Sequence, residues 1–157
     1  LDKGGTLVVL QDKFFWGNST SSMQTEGDAN GSGKGPSVYD RAESSAIWQS
    51  AIDDYHRYPE DIAIMQDLGM NMYRFQISWS RVQPDGEGDF NEAGIAFYAQ
   101  LIDQLLAAGI TPMICLYHFD MPLALAEKYD GFMDRHVVDA FARYAHEMLS
   151  RFADKVP

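Results

Sequence analysis

The sequence predicts an α/β fold in which helices cover a parallel sheet. Two observations carry that expectation. Strand-like apolar stretches alternate with amphipathic helical patterns across short joins. Two glycines, Gly69 and Gly109, each end a helical pattern and are followed at once by an apolar strand, 40 residues apart. The chain's 157 residues, 46% of them hydrophobic, suffice for one domain with a real core.

The elements follow in order. Phe14-Phe15-Trp16-Gly17 is an aromatic run ending in glycine and reads as a buried first strand. From Asn18 to Asp53 periodicity is lost among Ser, Gly and Asp, a length that marks a functional or disordered loop. Ile62, Met65 and Leu68 then recur at helical spacing behind Pro59-Glu60-Asp61, which suits a helix's first turn. Met70 to Ile77 reads as the second strand, running into Ser78-Trp79-Ser80-Arg81. After a turn at Pro84–Gly88, Asn91 is the expected N-cap of a helix carrying Ile95, Tyr98, Leu101, Ile102 and Leu105 on one face. Thr111 to Tyr117 is the third strand, and Asp134 to Phe152 the last helix, with Val137, Phe141, Tyr144 and Met148 aligned.

Two architectures share this alternation: a doubly wound open sheet and a (β/α)8 barrel. A dinucleotide-binding sheet should place G-x-G-x-x-G between its first strand and helix, and no such motif stands in that context. A whole barrel takes about 250 residues, so three strands here would make an incomplete one.

Charge and cysteine usage narrow the function. Twelve Lys and Arg against 23 Asp and Glu leave a net charge of -11, which argues against nucleic acid and anionic membrane as partners. Cys115 is the single cysteine and cannot form an internal disulfide, so a reducing compartment is expected. The first ten residues contain only a four-residue apolar patch, Leu7–Leu10, short of a secretory signal, and a cytoplasmic location is the expectation. The sequons at Asn18 and Asn30 are idle without secretion.

In a barrel, chemistry gathers at the C-terminal ends of strands and in the following loops. The polar residues there are Asn18, Ser19, Gln24 and Glu26 after the first strand, Arg74, Gln76, Ser78 and Arg81 in or after the second, and His118 and Asp120 after the third. With Trp16, Trp79 and Phe119 nearby, flat rings and fixed donors would make a carbohydrate pocket. Each residue also has a plainer reading. Gln24 would be a turn residue, Arg74 half of a structural ion pair, and His118 a satisfied hydrogen-bonding histidine. His56, His136 and His146 fall near or within helices as solvated or capping residues. No metal or cofactor is expected, since H-x-H, H-E-x-x-H and a second cysteine are missing. Asp85, Glu87, Asp89 and Asn91 lack calcium-loop spacing, and Gly31–Gly35 with Lys34 lacks the Walker spacing.

Four ordered motifs sit on these same residues. Phe15-Trp16-Gly17 through Ser21-Ser22-Met23-Gln24-Thr25-Glu26-Gly27 resembles the opening signature F-x-W-G-x-A-T-[SA]-[SA]-x-Q-x-E-G of family 1 glycoside hydrolases. Tyr55-His56-Arg57-Tyr58-Pro59-Glu60-Asp61-Ile62 is similar to the family's Y-H-R-Y-x-E-D-I helix. Tyr73 through Arg81 matches Y-R-F-S-I-S-W-S-R with one change at Gln76, and Tyr117-His118-Phe119-Asp120-Met121-Pro122 is similar to Y-H-W-D-L-P.

The resemblance implies the first three βα units of a (β/α)8 barrel over residues 14–157, behind an N-terminal extension at 1–13. It also implies a retaining β-glycosidase acting on β-glucosides or 6-phospho-β-glucosides. Gln24 and His118 resemble the pair that hydrogen-bonds the hydroxyls of the non-reducing sugar, and Arg74 resembles the arginine beside the nucleophilic carboxylate. Phe119 stands where the family usually has tryptophan. Together with Met121 it looks more like the phospho-β-glycosidase branch. The retaining mechanism needs two glutamates about 5–5.5 Å apart. In the family these lie in T-[FL]-N-E and T-E-N-G motifs after the fourth and seventh strands, and neither motif occurs in this sequence. Glu26 and Asp120 match neither. No catalytic residue is therefore assigned, and the chain alone is expected to be inactive. The other expectations are a non-catalytic carbohydrate-binding remnant, or a piece completed by the remaining barrel segment.

Overall fold

The computed structural model describes residues 14–41 and 45–157; the N-terminal extension expected at 1–13 lies outside the described residues. Three strands, β1 (Gly17–Ser19), β2 (Met72–Gln76) and β3 (Thr111–Cys115), form one parallel sheet in the order β1-β2-β3. Ser19 pairs with Arg74 and Arg74 with Met113, while Gln76 pairs with Cys115. Among the described residues seven α-helices accompany them: α1 (Ser22–Thr25), α2 (Ser45–Ser50), α3 (Asp54–Asp67), α4 (Trp79–Val82), α5 (Glu92–Ala107), α6 (Leu123–Tyr129) and α7 (Arg135–Phe152).

Strand alternation sends Tyr73, Phe75 and Ile114 to one face of the sheet and Arg74, Gln76, Met113 and Cys115 to the other. The first face is the core. Phe75 stacks on Tyr98 of α5 at 6.2 Å, and Tyr144 of α7 donates from Oη to the carbonyls of Ile77 and Leu116 at 3.2 and 2.8 Å. Strands in sequential order, with their long helices packed on one face, describe a sheet curling toward closure. A doubly wound sheet instead reverses strand order and carries helices on both faces.

Gly69 and Gly109 do end the helices, at φ +70° and +74°, the left-handed region that glycine enters freely. Ile95, Tyr98, Leu101, Ile102 and Leu105 are all buried on α5. Several local readings are corrected. The aromatic run at 14–16 is exposed and precedes β1, whose three residues are themselves exposed, because among the described residues β1 pairs on one side only. Pro59 lies inside α3, which starts five residues earlier, at Asp54. The Tyr55 N–H bonds to the Glu26 carbonyl at 2.9 Å, so a tertiary contact anchors the helix upstream of its proline. Leu68 is the C-cap and is 66% exposed instead of continuing the buried stripe. Ser78–Arg81 turns into α4 rather than extending the strand. Asn91 occupies the N-cap position, but its side-chain amide donates to the carbonyls of Ser32 and Arg81 at 2.7 and 2.8 Å. The long segment from Asn18 to Asp53 contains α1, α2 and a 3-10 turn at Val38–Arg41. Helix α6, which no periodicity announced, ends at Asp130 in the left-handed conformation.

Candidate functional site

The C-terminal ends of the three strands bring two loops together. The Ser22 hydroxyl, at the start of α1 beyond β1, donates to Asp120 Oδ2 at 2.8 Å, beyond β3. Gln76, the last residue of β2, bridges the two: its amide donates to Asp120 Oδ1 and its Oε1 accepts from the Ser22 N–H at 3.1 Å. Asp120 is 1% exposed, and burial pushes its carboxyl up to about 6 against the pull of the Ser22 and Gln76 hydrogen bonds. The residue that replaces serine in the Y-R-F-S-I-S-W-S-R pattern is therefore the clamp between the loops.

Around this clamp stand the residues singled out from the sequence. Gln24, two residues past Ser22, is exposed on α1 and accepts from the Ser21 hydroxyl through Oε1. His118, two residues before Asp120, is half-buried, its ring 4.9 Å from that of Phe119. Phe119 is exposed and sits at φ +69°, a conformation costly for an aromatic residue. Arg74 projects from the face of β2 opposite the core and donates from Nη2 to Cys115 Sγ at 2.9 Å. The plain expectation for Arg74, a structural ion pair, is not met among the described residues, where its partner is a thiol.

Two of the three rings expected nearby are elsewhere. Trp79 is fully buried, stacked on Tyr144 at 5.1 Å and donating from Nε1 to Gln83 Oε1 at 3.0 Å. Trp16 precedes β1, at the end of the sheet opposite Phe119, and is 58% exposed. Glu26 and Arg81 are also withdrawn from the candidate surface. Arg81 is fully buried and donates from Nε to Glu26 Oε2 at 2.9 Å and from Nη2 to the Gly27 carbonyl at 3.1 Å. Tyr98 donates to the other Glu26 oxygen, and the guanidinium lies 4.3 Å over the Tyr55 ring. Family-matching residues here build structure, and only their packing could reveal that.

Among the described residues no group of three or more His, Cys, Asp or Glu stands where it could hold a metal ion, and no helix is long and apolar enough to cross a membrane. Asp85 accepts from the backbone N–H of Glu87 and Gly88, while Glu87 turns to Lys128, Tyr129 and His136. The ammonium of Lys34 lies 3.9 Å from Asp40.

Sequential parallel strands with their long helices on one face define the fold class as a (β/α)8 barrel, of which these are the first three βα units. Residues 8–157 match Glycosyl hydrolase family 1, and the chain belongs to that family. It is 43% identical over 150 residues to aryl-phospho-β-D-glucosidase BglC of Bacillus subtilis, covering 91% of this chain and 31% of that one. It is likewise 43% identical over 160 residues to β-glucosidase 34 of Oryza sativa, covering 98% of this chain and 31% of that protein. The structure of rice Os3BGlu6 β-glucosidase superposes with a TM-score of 0.89 at 42% identity, over 93% of this chain and 32% of the other. The chain thus spans about a third of the length of the relatives it matches.

Proposed function

We propose that the chain forms the N-terminal third of a retaining β-glycosidase active site and supplies sugar-binding groups but neither catalytic glutamate. The supporting observation is the clamp of Ser22, Gln76 and Asp120, which holds the Gln24 and His118 loops together at the C-terminal end of the sheet. An amide and an imidazole there suit a sugar's vicinal hydroxyls. Arg74, on the face that a closed barrel would enclose, would keep a neighbouring carboxylate ionised and oriented.

The substrate class we favour is the 6-phospho-β-glucosides. Phe119 removes the indole donor that the family's tryptophan offers, and a relative at 43% identity is named as an aryl-phospho-β-D-glucosidase. A reducing, cytoplasmic setting accords with one half-buried thiol. The match to about a third of the length of full-length relatives favours assembly with the remaining five βα units over a free-standing sugar-binding module.

The test uses 4-nitrophenyl β-glucoside and its 6-phosphate, with the purified chain alone and then mixed with a chain bearing the remaining barrel of the Bacillus subtilis relative. No turnover is expected alone, and turnover favouring the phosphorylated substrate is expected in the mixture. Gln24→Ala and His118→Ala should each lower kcat/KM of the mixture by about 10–100-fold, the loss of one or two sugar hydrogen bonds. Turnover by the chain alone overturns the inactivity. Unchanged kcat/KM in both variants overturns the sugar-binding roles.

A further inference from the structure

Ser21 and Gln24 stand at the two ends of a sequence pattern, S-x-x-Q, that ordinarily caps a helix. In that arrangement the serine hydroxyl accepts the N–H three residues on, and the glutamine side chain reaches back to the serine N–H. Here the hydroxyl is diverted. Ser21 occupies the N-cap position of α1 with extended backbone, φ -118° and ψ 136°, and its side chain makes no capping hydrogen bond. The Gln24 N–H bonds instead to the Ser21 backbone carbonyl at 3.0 Å, and the Ser21 hydroxyl donates to Gln24 Oε1.

The two residues differ in freedom. Ser21 is 6% exposed, and its carbonyl also accepts from the Thr25 hydroxyl at 3.0 Å. The next residue, Ser22, is fastened to Gln76 and Asp120. Gln24 is exposed and its side chain has several rotatable bonds, so the placement of α1 does not by itself aim its amide. The two ends of an amide have nearly the same shape, and a hydrogen-bond partner decides which end points where. A buried hydroxyl on Oε1 makes that choice. It leaves both Nε2 hydrogens and the second lone pair of Oε1 for a ligand.

We propose that Ser21 is a positioning residue for the sugar site, holding the Gln24 amide in the orientation that meets the sugar's hydroxyls. Its role there rests on Gln24 being a sugar-binding group, as inferred above. Ser22 places the loop and Ser21 aims its side chain, so two adjacent serines divide one task. An amide already ordered before the sugar arrives loses less freedom on binding, which tightens the complex without a new contact.

Two measurements test this. The first needs only the 157-residue chain: the heteronuclear NOE of the Gln24 side-chain amide, beside that of exposed Gln100 on α5. In wild type the Gln24 amide should be rigid on the picosecond-to-nanosecond timescale and that of Gln100 mobile. Ser21→Ala should bring Gln24 to the Gln100 value while the backbone amides of Ser22 and Thr25 keep theirs. Equal mobility of the two side chains in wild type, or a Gln24 amide that stays rigid in folded Ser21→Ala, would overturn the proposal. If that variant does not fold, the wild-type comparison decides alone.

The second measurement uses the glycosidase mixture. Ser21→Ala should lower kcat/KM by about tenfold, and should add no further loss once Gln24→Ala is present, because its effect passes through Gln24. A hydroxyl that merely held the loop together would cost the same in both backgrounds, and that result overturns the positioning role. If the mixture shows no turnover, the barrel-completion reading falls, and the NOE comparison still decides whether Ser21 holds Gln24.

Discussion

Arg81 and Asp120 show how charge is managed inside this domain. Arg81 has no exposed surface, yet both Glu26 oxygens, the Gly27 carbonyl and the Tyr55 face surround its neighbourhood with compensating partners. Arg81→Ala would strand the Glu26 carboxylate in the core, a loss of about 3–5 kcal/mol in urea unfolding. Arg81→Lys restores the charge but not the fork, and should recover only part of it. Asp120 carries the opposite sign of pH effect from an ordinary paired acid. Folded, it holds its proton up to about 6, whereas the unfolded chain releases it near 4. The folded state binds more protons in that window, so stability falls as pH rises through it. Relative to Asp120→Asn, the wild-type chain should lose about 2 kcal/mol between pH 4 and pH 6, measured by urea titration at each pH. A difference independent of pH would contradict the raised carboxyl.

At the scale of elements, α5 is held against α4 through a glycine. A Cβ at Gly94 would overlap the Arg81 carbonyl. Alanine would gain about 1 kcal/mol of helix propensity at this position, but backbone overlap in a packed core costs about 1–3 kcal/mol and also disturbs the Arg81 ion pair. Gly94→Ala should therefore destabilise the chain, as a lower urea midpoint would show. A stabilised variant would mean that α5 can shift freely. The stripe of α5 was legible in the sequence because five apolar residues recur at helical spacing and all turn inward. The start of α3 was not, because its anchor is a hydrogen bond from Tyr55 to Glu26, 29 residues earlier in the chain. Likewise α6 has too few residues for a period to emerge, and its boundaries depend on Pro122 and the left-handed Asp130.

Among the described residues the sheet has two edge strands, β1 and β3, each paired on one side. Beside β3, an apolar groove of about 320 Å³ is lined by Met113, Met148, Leu149 and Phe152, and Leu149 faces solvent. Parallel sheets are ordinarily covered on both faces and along their edges, so flanks of this kind associate. The isolated chain should self-associate at tens of micromolar in sedimentation velocity. Leu149→Glu should reduce that association with a stability change within about 0.5 kcal/mol, as for an exposed position. A chain that stays monomeric at every concentration would mean that the flanks are satisfied in another way.

Element order and fold class belong to the sequence. Helical and strand periods, helix-ending glycines and four motif stretches placed three βα units in line and drew attention to Gln24, Arg74 and His118. Tertiary structure alone decided which polar residues remain available, because availability depends on neighbours distant along the chain. Glu26 and Arg81 are consumed by one another across 55 residues, Trp79 by Tyr144, and Ser22 by Asp120 across 98. Periodicity reports which face of an element turns inward; what meets that face is settled only when remote segments pack.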